Sequence, residues 1–316
     1  MKINYTKVTS ETRRPLTCYG ILRQYLTIPF HVSSIHKLYL FLKSVILDFF
    51  ALQFSVKLKL RKIKIVSVDH KLDKKVPFTP EKVHIYLDFV NFWIRPMTFL
   101  MCRIGQKKAL PYCAKYLLHI KDAYHEASKV YSYCMSTTNR PDYNEMKGFR
   151  TIHRTDPHLL CVPSLHVAIC ILTYSYYKKI FKEVDLTEEE QKYYNRELYL
   201  SAITITETVL FVKQHSVNCI PAALYMMSHL IPDYFTLKDG VDFIDSLFTG
   251  LSNEKDCPYY SEELKTTDLI CDENRTEIRN HIHFMYEKLI LEGVAEENWA
   301  TPILKWLFTM PTITSL

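Results

Sequence analysis

The chain reads as all-α: a helical bundle of about six main helices with a helical C-terminal appendage. Three observations predict this. Only 6 glycines occur in 316 residues, and both β-sandwiches and phosphate-cradling glycine loops need the positive-φ positions that glycine supplies. Hydrophobic residues make up 48% of the chain, enough for a large core and too many for a disordered protein. They gather into long apolar stretches, at 38–54, 84–101, 159–177, 198–212 and 217–231.

Taken in order, none of these stretches is a comfortable membrane span. A spanning helix needs about 20 largely uncharged residues. The first stretch contains Lys43 and Asp48, and the second contains Asp88 and Arg95. Only 159–177, which holds His166, and the shorter 217–231 lack formal charge, and both fall short of 20 residues. A mean hydropathy of −0.09 is low for a chain with many spans. The stretches therefore suit buried helices of a soluble bundle, or short spans that hide their charges inside one. Between them, 108–136 reads as a longer, more polar helix. Residues 56–66 alternate apolar and basic side chains, a strand-like or interfacial pattern. Residues 141–163 form a loop region punctuated by Pro141, Gly148, Pro157 and Pro163. The texture changes after Pro232, so the main domain is expected over 1–232 and the helical extension over 233–316. Within the extension a helix starts near Asp272, buries Ile278, Ile282, Met285 and Leu289 on one face, and stops at Gly293.

The net charge is +6, and its distribution says more than its sum. Lys57, Lys59, Arg61, Lys62, Lys64, Lys71, Lys74 and Lys75 crowd one segment beside an apolar helix, as suits an anionic membrane surface. The expected location is therefore at a membrane, integral or peripheral. No basic helix interleaved with stacking aromatics appears, which argues against nucleic acid as a partner. The 9 cysteines show no metal-ligand spacing and lie mostly in apolar runs, so they read as reduced packing residues. The N-terminal MKINYTKVTSETRRP has no apolar region behind its charges, and no cleaved signal peptide is expected. The sequence sets no oligomeric state.

Chemistry concentrates in three segments: Thr137-Thr138-Asn139-Arg140-Pro141, Cys161-Val162-Pro163-Ser164-Leu165-His166-Val167, and Val212-Lys213-Gln214-His215-Ser216-Val217-Asn218-Cys219. Pro163 and Ser164 are good helix-start residues, so the N–H groups near Ser164–His166 should offer an anion site with a hydroxyl and an imidazole attached. Arg140 supplies a forked donor for phosphate oxygens. Two histidines, an arginine, a lysine and a helix N-terminus are the parts that phosphoryl transfer through a histidine requires. His153 and His158 flank Asp156, and a turn before a helix accounts for them. His281 and His283 are expected on different faces of one surface helix.

These segments resemble the three signature motifs of the type 2 phosphatidic acid phosphatase superfamily, which also holds bacterial acid phosphatases and vanadium haloperoxidases. Pro163-Ser164-Leu165-His166 is similar to its Pro-Ser-x-His motif, and Arg140-Pro141 to the end of its first motif. Lys213-Gln214-His215-Ser216-Val217 is similar to the nucleophile motif of a membrane branch. Residues 73–80 and Ile85-Tyr86-Leu87 resemble the approach to that branch's second helix, so the likeness runs from about residue 70 to about 225. It implies His215 as the nucleophile that forms phosphohistidine and His166 as the acid that protonates the leaving alkoxide. Arg140 and Ser164 would bind phosphoryl oxygens, with Lys213 in support. No metal and no cofactor is implied. The substrate would be a phosphorylated lipid or a small phosphomonoester.

The chain also departs from the family. Cys219 stands where an aspartate should orient the nucleophile, Thr208-Val209 where a serine-arginine pair should stand, and Tyr133 where a lysine should, with Lys129 one turn earlier. In a serine-protease triad, losing the orienting carboxylate lowers turnover by ~10⁴. Reduced activity, a non-catalytic phosphate- or lipid-binding membrane protein on the same scaffold, and a soluble acid phosphatase are the alternatives. Asn218 is the candidate to orient the imidazole in the aspartate's place.

Overall fold

The computed structural model describes residues 14–313; the expectation about a signal peptide concerns residues almost wholly outside them. Helix dominates, as the scarcity of glycine implies. Six main helices build the bundle: α1 (Val32–Lys57), α2 (Val83–Arg103), α3 (Gln106–Tyr131), α4 (Leu165–Glu183), α5 (Glu188–Phe211) and α6 (Cys219–Leu230). In the extension the longest helix is α7 (Asp272–Gly293).

Helix starts follow local chemistry. α5 opens on a capping box in which Thr187 and Glu190 satisfy each other's N–H groups. Glu188, Glu189 and Glu190 then face its positive end. α3 starts behind Gly105, whose φ of 84° lies in the region that side chains resist. α4 is capped by Ser164, whose hydroxyl accepts the Val167 N–H at 3.4 Å. Its side chains from Val167 to Leu172 are all buried, as expected of a helix apolar on every face.

α1 is one continuous helix with a π-helical stretch at Val45–Ala51. It runs parallel to α3 along much of its length. His31 meets Gln106 at 2.6 Å, the Ser44 hydroxyl donates to the Lys121 carbonyl at 3.3 Å, and Asp48 meets His125 at 3.2 Å.

Four expectations change, the first being that residues 141–163, read as a loop, contain a helix at Lys147–Thr155. The helix expected over 108–136 ends at Tyr131, because Cys134–Thr137 form a strand, β2, that pairs in parallel with β1 (Lys64–Ser67). The strand-like pattern at 56–66 yields only β1, since α1 continues to Lys57. Bridges from Val66 to Thr312 and from Ser136 to Leu160 widen the pair into a strip of four backbone segments. The stretch 159–177 is therefore split: its first residues belong to this strip and its helix begins only at Leu165. The strip fixes the two loops that carry Arg140 and Asp156.

Residues 233–313 pack into the same core as the bundle. α7 buries Ile278, Ile282, Met285 and Leu289 as expected. At its end a Cβ on Gly293 would lie 1.9 Å from the Tyr225 hydroxyl, an approach only glycine permits. Buried Glu207 on α5 accepts the Phe248 N–H at 2.6 Å and hydroxyls of Ser252 and Thr266 at 2.7 and 3.1 Å. Those bonds pin the loop after residue 247 to the bundle.

Candidate active site

A partly enclosed cavity of about 50 Å³ lies where the N-terminus of α4 meets the turn between α5 and α6. That is room for about three or four waters, or for one compact anion. Its polar lining is Asp156, His158, His166, Gln214 and His215, and Tyr86, Phe89, Phe49 and Tyr124 contribute aromatic wall.

Of the expected residues, His166 and His215 line the cavity, and Ser164 and Arg140 stand behind it, bonded to lining residues. The imidazoles of His166 and His215 stand with centroids 5.7 Å apart and planes nearly crossed at 65°. The Ser164 hydroxyl lies 3.3 Å from His215 Nε2. Ser164 also caps α4, so the first N–H groups of that helix open toward the same space. His166 is held between Tyr86 and Phe89, with centroid distances of 4.5 and 4.6 Å. Arg140 donates to the Gln214 side-chain oxygen at 3.2 Å and to the Asp156 carbonyl at 3.0 Å.

Lys213 is not brought to the cavity. It adopts φ 55°, and its ammonium donates to the carbonyls of Asp73 and Val76 instead. The left-handed turn sends Lys213 outward and presents Gln214 and His215 inward, where Gln214 holds Arg140. The Val209 carbonyl accepts the N–H groups of both Gln214 and His215, at 3.1 and 3.2 Å. The position expected for a second phosphate-binding arginine thus serves this turn through its backbone. Lys129 pairs with Glu126 on the surface at 2.7 Å.

His215 Nδ1, which an aspartate should meet, is buried with no hydrogen-bond partner among the described residues. The Cys219 sulfur is taken up by the Ser216 N–H at 3.4 Å. Asn218 does not substitute for the aspartate: its NH₂ donates to the Val68 carbonyl at 3.0 Å and its oxygen meets His281 at 2.7 Å. His281 is consequently half-buried instead of free on the surface; it stacks on His70 at 3.9 Å and ties α7 to this turn. Asp73 accepts the Val217 N–H at 2.9 Å, a structural role.

Asp156 and His158 are the residues that sequence reasoning passed over. Asp156 takes the His158 N–H at 3.0 Å, and its carboxylate lies 3.9 Å from Arg140. His158 Nε2 meets the Thr138 hydroxyl at 2.7 Å, and the Cys161 sulfur is close by at 3.7 Å. His158 has φ 62°, a conformation disfavoured for a bulky residue that tends to mark functional sites. Their signal was visible as Asp156-x-His158 three residues before Cys161, but only the Ser136–Leu160 bridge turns that segment into the cavity.

The electrostatics follow from burial. Burial lowers His166 to about 4, with Asp156 pulling the other way. His215 is pushed well below its ordinary value, first by burial and then by His166 and His158, against weaker opposition from Asp156 and the Cys161 backbone. Burial alone would raise Asp156, but the bonds to His158 and the charge of Arg140 outweigh it and bring the carboxyl down to about 2. His166 and His215 are therefore neutral near pH 7, beside an ionised Asp156. Among the described residues no group of three or more histidine, cysteine or acidic side chains is arranged to hold a metal ion. Compared with protein families, curated proteins and solved structures, the chain matches none.

Proposed function

We propose that the cavity is a phosphoryl-transfer site acting on lipid-borne phosphomonoesters through a phosphohistidine, as the likeness to type 2 phosphatidic acid phosphatases implies. The observation that carries this reading is the placement of His215 Nε2 against Ser164 and the capped start of α4, with His166 across the cavity. A phosphoryl group there would have its oxygens toward the Ser164 hydroxyl, the helix N–H groups and the Arg140 guanidinium, and its phosphorus toward a neutral imidazole.

In the first step the Nε2 lone pair forms an N–P bond as the P–O bond to the alcohol breaks. His166 gives a proton to the departing alkoxide. In the second, water attacks phosphorus, the N–P bond breaks, and His166 takes the proton back; another alcohol in place of water gives transfer instead. His166 must be protonated for the first step. Burial holds it down, so a phosphate dianion in the cavity has to raise it. The lipid-borne substrate is supported by Phe49, which brings the exposed apolar helix α1 to the cavity wall.

The unpartnered His215 Nδ1 and the missing arginine at Val209 favour a second reading, a phosphate-binding scaffold that no longer turns over. Acid-labile, alkali-stable labelling with a ³²P-phosphomonoester separates the two. Labelled wild type and unlabelled His215→Ala are expected, with a fall in turnover of at least ~10³ in the variant. Phosphate binding with no label in either protein would leave the scaffold reading standing.

A further inference from the structure

The N-terminal segment between residues 22 and 60 is unlike the rest of the surface. It carries thirteen of the twenty-one exposed large hydrophobic side chains among the described residues. On α1, Val32, Ile35, Tyr39, Leu42, Ile46 and Phe50 recur every three or four residues and form one outward stripe. An apolar hollow of about 350 Å³ opens beside it, between Tyr25, Leu42 and Trp93. Scattered exposed leucines are ordinary, but a stripe this long marks an interaction surface.

Charge identifies the occupant. Residues 22–64 hold eight basic residues against the single acid Asp48, a net of +7 where the whole chain carries +6. The segment that exposes its apolar side chains is thus strongly positive, while the rest of the chain nets −1. Lys57, Lys59, Arg61 and Lys62 cluster where α1 ends. An apolar face rimmed by lysine and arginine complements anionic phospholipid, acyl chains below and headgroups around.

α1 is also long and apolar enough to cross a membrane. Its packing argues otherwise. α3 lies alongside it from Gln106 to His125. Were α1 to span, α3 would enter the hydrocarbon with Lys107, Lys108, Lys115, Lys121, Asp122, Glu126 and Lys129. Only the outer face of α1 can meet lipid.

We propose that α1 and the residues before it form a monotopic seat, lying in the plane of an anionic bilayer with the stripe immersed and the basic cluster on the headgroups. The seat itself does not depend on the histidine chemistry. Because Phe49 belongs to α1 and lines the histidine cavity, seating brings that cavity to the lipid interface.

The test is flotation of the purified full chain with phosphatidylcholine vesicles, with and without phosphatidylserine. Wild type is expected to float with the mixed vesicles and to be released by alkaline carbonate. Phe30→Glu with Val32→Glu should abolish flotation. Arg61→Glu with Lys62→Glu should weaken binding to the anionic vesicles by about tenfold or more while leaving binding to neutral vesicles unchanged. All four side chains are exposed, so circular dichroism and melting should match wild type. His215→Ala should float like wild type, which keeps the seat separable from turnover. Four results would overturn the proposal: no flotation of wild type, equal flotation of the variants, retention through carbonate as for a spanning helix, or a wild-type dimer that fails to float and that Phe30→Glu with Val32→Glu converts to monomer.

Discussion

The two walls of the histidine cavity are built to different standards. On one, Thr138, Arg140, Asp156, His158 and Cys161 form a connected network in which each polar group meets another. On the other, His215 Nδ1 meets no hydrogen-bond partner among the described residues, the sulfur of Cys219 serves a backbone N–H, and Asn218 is committed elsewhere. Among the described residues the one carboxylate that lines the cavity is Asp156, on the connected wall. Negative charge that would steady an imidazolium reaches the site from the loop before α4. There it opposes the burial that keeps both His166 and His215 neutral. A carboxylate that acts through space on both histidines orients neither, which is a weaker arrangement than a bonded pair.

The largest effect should follow from breaking the connected wall. Asp156→Asn removes the charge facing Arg140 and His158 but keeps the backbone carbonyl that Arg140 also uses. Turnover of a phosphomonoester should fall about 10- to 100-fold, the worth of a charge-assisted hydrogen bond. The alkaline limb of kcat/KM should move to lower pH, because His166 loses the one charge that supports its protonated form. An unshifted pH profile with a raised KM would mean that Asp156 only positions Arg140.

A smaller change should come from completing the sparse wall. Cys219→Asp should raise turnover about tenfold, well short of the ~10⁴ that a bonded carboxylate–imidazole pair contributes in a serine-protease triad. Two features cap the gain. The site is fully buried, and Asp73 and Asp69 already oppose negative charge there, as they do for the Cys219 thiol. The variant should therefore melt at a lower temperature than wild type even as it turns over faster. No gain in turnover, with the fold intact, would point to Val209, where the resemblance expects an arginine, as the limiting position.

The same contrast explains what could be read from the sequence. The helices were legible because their apolar stretches are long and their caps are local, as at Ser164 and Thr187. The convergence of Ser164, His166 and His215 was legible because each stands at the start of an apolar helix or just before one. The connected wall was not, because it depends on strand pairing between residues far apart, Lys64–Ser67 with Cys134–Thr137 and Ser136 with Leu160. Lys213 misled because a single positive φ reverses which way its side chain points. His281 misled because a helical face says which residues share a side, not which neighbour will cover them. The exposure of α1 was hidden too, since an apolar run carries no mark of how much of its circumference will be buried.

The smallest expected effect concerns His281, which holds Asn218 away from the cavity. Burial lowers His281 to about 4, with His70 and Lys71 adding to the fall. Its unfolded value is near 6.5, so between pH 6.5 and 4 the unfolded chain binds the proton that the folded protein refuses. Stability must then rise with pH across that window and is lost on acidification, and His166, also at about 4, acts with the same sign. Glu197 works in the opposite direction: burial raises it to about 7, so its contribution declines as pH rises from 4.5 toward 7. Burial lowers His70, His119, His153 and His215 as well, and these histidines together outnumber the raised carboxyls Glu197, Glu207 and Asp73, so stability should rise with pH up to about 6.5. His281→Gln keeps a donor for the Asn218 oxygen while removing one titrating group. The variant's unfolding free energy, followed by urea denaturation at pH 7 and 4.5, should change less between the two than that of wild type, by on the order of 1 kcal/mol. Turnover at pH 7 should be unaltered, since Asn218 remains bound to the Val68 carbonyl. If the pH dependence of stability is unchanged, the stacked pair of His70 and His281 is open to solvent in solution. If turnover rises instead, Asn218 has swung toward His215 and begun to orient it, joining the sparse wall to the chemistry.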